Sequence, residues 1–167
     1  DIALSRAQEI LGIKKVRLSE RLKKGGIYYN LEAEDILEAI QKTVEMIPEI
    51  PCISKKEILA TVISREEIVP TALGNGIILP HSRNPMLTCI EDEIVALVFL
   101  EKPLDYETPD RKLVHSIFLT LASNAKTHLG MLSRISNFCS QPEFLELLEK
   151  RAERKEILDW LEAQEYD

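Results

Sequence analysis

Histidine is the side chain in this sequence best suited to carry chemistry. The chain holds only three, His81, His115 and His128. It contains no Walker-type phosphate loop and no G-x-S-x-G nucleophile turn. A neutral imidazole is a good nucleophile near pH 7, and the phosphoramidate that it forms can pass its phosphoryl group onward. The three histidines are therefore the candidates for a phosphoryl relay.

His81 follows a pattern that would present it on a rigid base. A glycine-rich turn at 74–76 leads into the short apolar run 77–79, which Pro80 ends. This predicts a buried strand with His81 exposed at its end, a position where functional groups are often displayed. The alternative is that a lone histidine after proline is only a surface or turn residue.

Two further side chains could contact an anion beside His81. His128 lies near the predicted start of a helix, where free backbone N–H groups and the helix dipole favour negative charge. Arg65 ends another predicted helix, and its planar guanidinium could hold phosphoryl oxygens. The alternatives are an ordinary first-turn histidine and a helix-end arginine paired with solvent or glutamate. His115 lies within an apolar strand pattern, where we expect a minor role at most.

The hydrophobic pattern predicts helices packed around a few buried strands. Continuous apolar runs at 94–100 and 114–121 are typical of strands buried on both faces, whereas the polar stretch 101–112 predicts a loop. Amphipathic helices are predicted with these inward residues: Ala33, Ile36, Leu37, Ile40, Val44 and Ile47; Ile58, Leu59, Val62 and Ile63; Leu129, Leu132, Ile135 and Phe138; Phe144, Leu147 and Leu148; Ile157, Leu158 and Leu161. Capping boxes are predicted at Ser54–Glu57 and Ser140–Glu143. The fold class is α/β, a single layered domain.

The N-terminal part of the chain has short helical patterns that are separate from those of the predicted domain. Residues 4–12 and 16–24 form two short helical patterns, which fit surface helices or a linker remnant, or part of a helix-turn-helix. We assign residues 1–24 to this helical segment or linker remnant and residues 25–167 to the domain. The net charge of −7 disfavours nucleic-acid binding and an anionic membrane surface. No apolar run approaches the roughly 20 residues that span a bilayer.

The order of these segments resembles the type-2 IIA domains of the bacterial phosphotransferase system, the fructose/mannitol and nitrogen-regulatory IIA proteins. The matching pieces are Arg65-Glu66, then Thr71-x-x-Gly74-x-Gly76-Ile77-x-x-Pro80-His81, and about 47 positions after His81 the stretch Thr127-His128-Leu129. The resemblance covers roughly residues 27–162. The stretches 25–29 and 83–85 look closest to the nitrogen-regulatory type.

The resemblance implies a mixed β-sheet flanked by helices and a role for each site residue. In that family the histidine of the P-H motif is phosphorylated, which implies that His81 is the acceptor. The histidine of T-H-L assists in the same site and the arginine of R-E contacts phosphate, which implies these roles for His128 and Arg65. The family reaction needs no metal and no organic cofactor. A zinc site from the three histidines is disfavoured because their spacings of 34 and 13 fit no ligand motif.

The expected function is that of a cytoplasmic phosphocarrier. The resemblance implies a histidine-containing phosphocarrier protein as the donor and a IIB-type domain or a regulated protein as the acceptor, with no membrane insertion. The alternative is a regulatory binding module that acts by partner contact with little or no phosphoryl transfer. Binding of DNA through residues 1–24 is the weakest interpretation, given the acidic charge of the chain.

Overall fold

The centre of the computed structural model, which describes residues 17–51 and 53–165, is a five-stranded sheet. Its strands are β1 (Ile27–Leu31), β2 (Ala72–Gly74), β3 (Ile77–Ile78), β4 (Ile94–Leu104) and β5 (Val114–Leu121). They are ordered β1-β4-β5-β3-β2 across the sheet. The pairs β1/β4 and β3/β5 are parallel, whereas β4/β5 and β2/β3 are antiparallel. The predicted mixed sheet is confirmed.

Helices cover both faces of this sheet. Within the described residues they are α1 (Leu18–Gly25), α2 (Ile36–Met46), α3 (Lys55–Glu66), α4 (Ala125–Phe138), α5 (Pro142–Glu149) and α6 (Arg154–Glu165). Alternate side chains of β4 point to opposite faces. Val95, Leu97 and Phe99 pack with α1, α4, α5 and α6, whereas Ile94, Ala96 and Val98 pack with α2 and α3. The predicted layered α/β class is therefore confirmed.

The central strand β4 is buried along its first seven residues, as its continuous apolar run predicted. It continues to Leu104, into the stretch 101–112 that the sequence analysis assigned to a loop. The ladder resumes after a register shift, with Leu104 opposite Val114. Because this end of β4 is exposed, polar Glu101 and Lys102 are tolerated in an extended conformation there.

N-cap side chains mark the start of α2, α3 and α4 among the described helices. The predicted capping box at Ser54 and Glu57 is present at the start of α3. The predicted box at Ser140–Glu143 is wrong. Gln141 is the N-cap of α5 and makes no side-chain capping bond, while the following proline occupies the first turn, where its missing N–H costs nothing.

Two leucines that were predicted to face inward are exposed. Leu129 of α4 is 65% exposed and Leu37 of α2 is 43% exposed. In α4 the buried stripe is formed by Met131, Ile135 and Phe138. At 100° per residue, Leu129 falls on the side of the helix opposite Met131. The predicted Ile135 and Phe138 are buried and Leu132 is partly buried, so Leu129 is the one wrong member of that predicted stripe.

Helix α1 packs against the sheet, unlike the surface helix predicted over residues 16–24. Leu18 and Leu22 are buried in the same cluster as β4. The buried carboxylate of Glu165, in the last turn of α6, accepts hydrogen bonds from the N–H groups of Leu18 (2.6 Å) and Ser19 (3.0 Å). Such a cap from a distant helix has no local sequence signal.

The division of the chain at residue 24 remains a prediction. The helical pattern predicted at residues 4–12 lies outside the described residues. None of the helices in the described parts of the chain has both the length and the apolar composition that crossing a membrane requires.

Candidate functional site

His81 lies where β3 ends beside the C-terminal half of β5. It forms an isolated parallel bridge with Thr120, and the Thr120 N–H donates to the carbonyl of Pro80 (3.1 Å). Leu79, two residues before His81, donates its N–H to the carbonyl of Thr71 (3.0 Å). The backbone on both sides of Pro80 is thus tied to neighbouring segments. The predicted strand-end position is confirmed, although the side chain of His81 is half-buried rather than exposed.

The ring of His81 is held in one tautomer by its own backbone. Its Nδ1 lies 2.7 Å from the carbonyl oxygen of Leu79. A carbonyl oxygen only accepts, so Nδ1 must carry the proton and donate it. In the neutral ring, the lone pair therefore resides on Nε2. Nε2 is therefore the ring nitrogen whose lone pair is available.

Burial lowers the pKa of His81 below its usual value of 6.5. The hydrogen bond to the Leu79 carbonyl opposes this change, the positive charge of Arg65 adds to it, and the negative charge of Glu66 opposes it. Because desolvation is the largest of these causes, the imidazole is neutral at pH 7. A neutral ring is the form that can attack phosphorus.

His128 lies directly beside His81. The two ring centroids are 5.5 Å apart and the ring planes are inclined at 60°. His128 lies in the first turn of α4, where the N-cap residue Asn124 accepts a hydrogen bond from the N–H of Thr127. The side chain is 6% exposed, so the ring lies largely inside the protein. Burial, followed by the charge of His81, lowers the pKa of His128.

Two buried polar atoms on the residues next to His81 have no hydrogen-bond partner among the described residues. They are Nδ1 of His128 and the hydroxyl oxygen of Thr120. A buried polar atom without a partner costs free energy, so such atoms are rare in folded proteins. Their position beside His81 indicates a place where a ligand with hydrogen-bonding groups would be stabilised.

Arg65 acts on the same site through its charge. It lies in the last turn of α3, and its Nη1 donates to the carbonyl of Val69 (2.8 Å) in the loop that follows. Its positive charge contributes to the lowered pKa of His81, which places the two groups within electrostatic range. The structure therefore brings His81 and His128 together, and the residue after Arg65 is linked to His81 by hydrogen bonds through Thr71 and Leu79.

His115 lies away from this region, at the opposite end of β5. It is five residues from Thr120 along the strand, about 16 Å at roughly 3.3 Å per residue. Its Nδ1 is 2.7 Å from the hydroxyl oxygen of Ser116, and its ring covers Gly76. The expectation that His115 is at most a minor participant agrees with this position.

Two buried carboxylates near the site were not predicted from the sequence. Glu66 follows Arg65 and was noted only as part of the R-E motif. Glu93 lies just before β4, and its carboxylate accepts hydrogen bonds from Arg21 (2.8 Å), from the N–H of Ser123 (2.7 Å) and from the hydroxyl of Thr127. Glu93 therefore joins α1 to the first turn of α4. Its partners are distant in sequence, so no local pattern indicates it.

The site is built from imidazole and guanidinium groups, with no cluster of metal ligands. In residues 17–51 and 53–165, no three side chains of histidine, cysteine, aspartate or glutamate come together to hold a metal ion. The histidines instead form one close pair, His81 and His128, with His115 remote.

Comparison with known proteins identifies relatives over most of the described region. A family model described as "Phosphoenolpyruvate-dependent sugar phosphotransferase system, EIIA 2" matches residues 20–164. A nitrogen regulatory protein from Pseudomonas aeruginosa is 27% identical over 124 residues, which cover 72% of this chain and 79% of that protein.

Two solved structures share the fold. Nitrogen regulatory protein IIA-Ntr from Neisseria meningitidis superposes with a TM-score of 0.73 at 24% identity, covering 86% of this chain and 97% of that one. Enzyme IIAMTL from Escherichia coli, solved in complex with phosphorylated enzyme IIBMTL, gives a TM-score of 0.60 at 18% identity, covering 82% of this chain and 94% of that one.

Proposed function

The chain belongs to the EIIA 2 family of the phosphoenolpyruvate-dependent sugar phosphotransferase system, and from this premise we propose that it is a phosphocarrier whose acceptor atom is Nε2 of His81. The observation that carries the proposal is the hydrogen bond from Nδ1 of His81 to the Leu79 carbonyl, which leaves the lone pair on Nε2. The family membership supports the class of reaction, and the geometry of the ring supports the choice of the atom.

The proposed step is a displacement at phosphorus between two imidazoles. The lone pair of Nε2 forms the new N–P bond while the N–P bond of the donor's phosphohistidine breaks, and that bonding pair stays on the donor nitrogen. His81 keeps the proton on Nδ1, so its ring becomes cationic as it is phosphorylated. The Leu79 carbonyl, which accepts that proton's hydrogen bond at 2.7 Å, stabilises the developing charge.

His128 and Arg65 are proposed to stabilise the transferring group. Transfer leaves negative charge on the phosphoryl oxygens, and donors fixed in advance lower the barrier more than donors that must reorient. The buried His128 ring, 5.5 Å from His81 between centroids, and the charge of Arg65 are suited to this role. The unpartnered hydroxyl of Thr120 is a further group that could donate to an oxygen.

Exposed apolar side chains adjoin these residues and would suit docking of a partner. Ile68 and Val69, which follow the helix that carries Arg65, are 62% and 57% exposed, and Leu129 follows His128. Neighbouring apolar side chains on a surface are typical of contact sites. We propose a histidine-containing phosphocarrier protein as the donor, a IIB-type domain or a regulated protein as the acceptor, and the cytoplasm as the compartment.

Phosphoryl uptake measured by intact-protein mass tests the proposal. The wild type and His81→Ala are incubated with phosphoenolpyruvate, enzyme I and the histidine phosphocarrier. We expect one acid-labile phosphoryl group on the wild type and none on the variant. Stoichiometric uptake by His81→Ala would refute the site. Absence of uptake by the folded wild type would refute transfer and favour the alternative, a module that regulates a partner by contact.

A further inference from the structure

Glu66 is a buried carboxylate at the C-terminal end of α3, and its surroundings are unusual. It is 2% exposed, and it accepts hydrogen bonds from the Thr71 N–H (2.9 Å), the Thr71 hydroxyl (2.7 Å) and the Tyr106 hydroxyl (2.6 Å). All three donors are neutral. None of the ion pairs within the described residues includes Glu66. The negative charge is thus solvated by hydrogen bonds and left without a paired cation.

A carboxylate is a costly group for this position if its only task is to hold a turn. Burying a charge without an opposite charge is unfavourable, and the helix dipole also disfavours a negative charge at a helix C-terminus. A neutral amide could occupy the same place and accept hydrogen bonds without these costs. The charge of Glu66 therefore calls for an explanation outside the stability of the turn.

A continuous series of hydrogen bonds runs from Glu66 to the ring of His81. Glu66 holds the N–H and the hydroxyl of Thr71. The carbonyl of Thr71 accepts from the N–H of Leu79 at 3.0 Å, and the carbonyl of Leu79 accepts from Nδ1 of His81 at 2.7 Å. These hydrogen bonds join three segments: the end of α3, the residue before β2, and the residues after β3.

We propose that Glu66 is a positioning residue for His81, which fixes the Leu79 carbonyl through Thr71 and so holds the His81 ring with its proton on Nδ1 and Nε2 free. This inference rests on the proposed phosphoryl transfer to His81 and names a residue that acts on the acceptor without touching the phosphoryl group. The Glu66 charge also favours the cationic ring that forms when Nε2 is phosphorylated, in opposition to the nearby Arg65.

The proposal also accounts for Thr71, the first residue of the T-x-x-G-x-G-I-x-x-P-H stretch. Its hydroxyl donates to Glu66 at 2.7 Å, so that proton is not available to a phosphoryl oxygen. Its two backbone groups instead connect Glu66 to Leu79. The number of residues between Arg65-Glu66 and Pro80-His81 is then set by the need for Thr71 to reach both Glu66 and Leu79.

The test compares Glu66→Gln with Glu67→Gln, a matched control at the next position, where the carboxylate is exposed. Imidazole ¹⁵N NMR reports the tautomer and the pKa of His81 without any phosphoryl donor. We expect Glu66→Gln to lower the pKa of His81 and to populate the tautomer with the proton on Nε2. Uptake of phosphoryl groups should slow by about 10- to 100-fold, because catalysis depends closely on the orientation of the reacting atom. Glu67→Gln should match the wild type in all three measurements.

Thr71→Val provides a second variant that keeps the backbone and removes only the hydroxyl donor to Glu66. Thr71→Val should also populate the His81 tautomer with the proton on Nε2, to a smaller extent than Glu66→Gln. If both Glu66→Gln and Thr71→Val keep the wild-type tautomer and pKa of His81, the positioning role is wrong. If the NMR changes appear but the wild type takes up no phosphoryl group, the positioning role stands and the proposed function fails. The two claims are thus separated.

Discussion

The imidazole rings of His81 and His128 meet edge to face with their centroids 5.5 Å apart, although 47 positions separate them in the chain. The end of β3 supplies one ring and the first turn of α4 supplies the other. Each ring has a pKa lowered chiefly by burial, so both are neutral near pH 7. Two neutral imidazoles in contact can take different roles: His81 attacks phosphorus, and His128 stabilises the transferred group.

Replacing His128 tests whether this residue stabilises the transferred group. We expect His128→Ala to slow phosphoryl uptake by roughly 10²-fold, the usual loss when one preorganised donor is removed from a site of charge development. Some uptake should remain because the nucleophile is intact. Rapid-quench measurement of the initial rate checks this. His115→Ala is the matched control and should keep the wild-type rate. Equal rates for both variants would contradict a role for His128.

Replacing Arg65 tests the role of its positive charge. Arg65→Ala should slow uptake and also raise the pKa of His81, because the nearby cation that disfavours a charged ring is removed. Arg65→Lys should bring the pKa of His81 close to the wild-type value, because the ammonium keeps the positive charge. It should restore the rate less fully, because lysine lacks the planar guanidinium that can bind two phosphoryl oxygens. Initial rates and an NMR titration of His81 give the two values. Lys56→Ala, on the exposed side of the same helix, is the control.

Stability should fall as the solution becomes mildly acidic. The pKa values of His81, His115 and His128 are all lowered from 6.5 in the folded chain. Between 6.5 and these lower values the unfolded chain binds more protons, so the free energy of unfolding rises with pH in that window. Urea denaturation at several values between about pH 5 and 8, the range in which histidine titrates, measures it. A profile that is flat, or that rises towards acid, would contradict the burial described for these rings.

A second acid-sensitive group acts in a lower window. Hydrogen bonds from Thr127, Ser123 and Arg21 hold the pKa of Glu93 below its ordinary value of 4.5 despite its burial, which opposes the shift. A depressed carboxyl pKa contributes stability that is present above the ordinary value and is lost as pH falls through the folded value. The carboxylate effect should therefore appear as a loss of stability below about pH 4.5, when urea denaturation is extended to solutions more acidic than those used for the histidines.

The Arg21–Glu93 pair should be a major contributor to stability. Both side chains are largely buried and their atoms are 2.8 Å apart. Arg21→Met leaves the buried carboxylate without its cation, which typically costs about 3–5 kcal/mol of unfolding free energy. Lys23→Met, on the same helix, removes an exposed pair with Glu162 and should change stability far less, because solvent screens exposed ion pairs. Urea denaturation near neutral pH compares them, and equal losses would show that α1 is not anchored through Glu93.

Periodicity predicted the helices and the central strands because their burial patterns repeat locally. The run 94–100 and the capping box of Ser54 are examples in which the signal lies within a few residues. Strand order could not be predicted in this way, since β3 pairs with β5 across a long connection. The inward position predicted for Leu129 is wrong, although Ile135 and Phe138 of the same predicted stripe are buried, because packing decides how far a buried stripe extends along a helix.

The site was partly visible in the sequence. The resemblance singled out His81, His128 and Arg65, of which the structure brings His81 and His128 together. It gave no reason for the glycine at position 76, which has φ +80° and whose added Cβ would lie 2.3 Å from the His115 ring. It also gave no role to Glu93, whose partners Arg21 and Thr127 are 72 and 34 positions away. Contacts at such separations arise only when the chain folds.

The central claim is that the phosphoryl group is carried on Nε2 of His81. The most direct test is to phosphorylate ¹⁵N-labelled protein with phosphoenolpyruvate, enzyme I and the histidine phosphocarrier, and to locate the new bond by its ³¹P–¹⁵N coupling. We predict a single coupling, to Nε2 of His81, while Nδ1 keeps its proton. A coupling to Nδ1 of His81, or to either nitrogen of His128 or His115, would contradict the account.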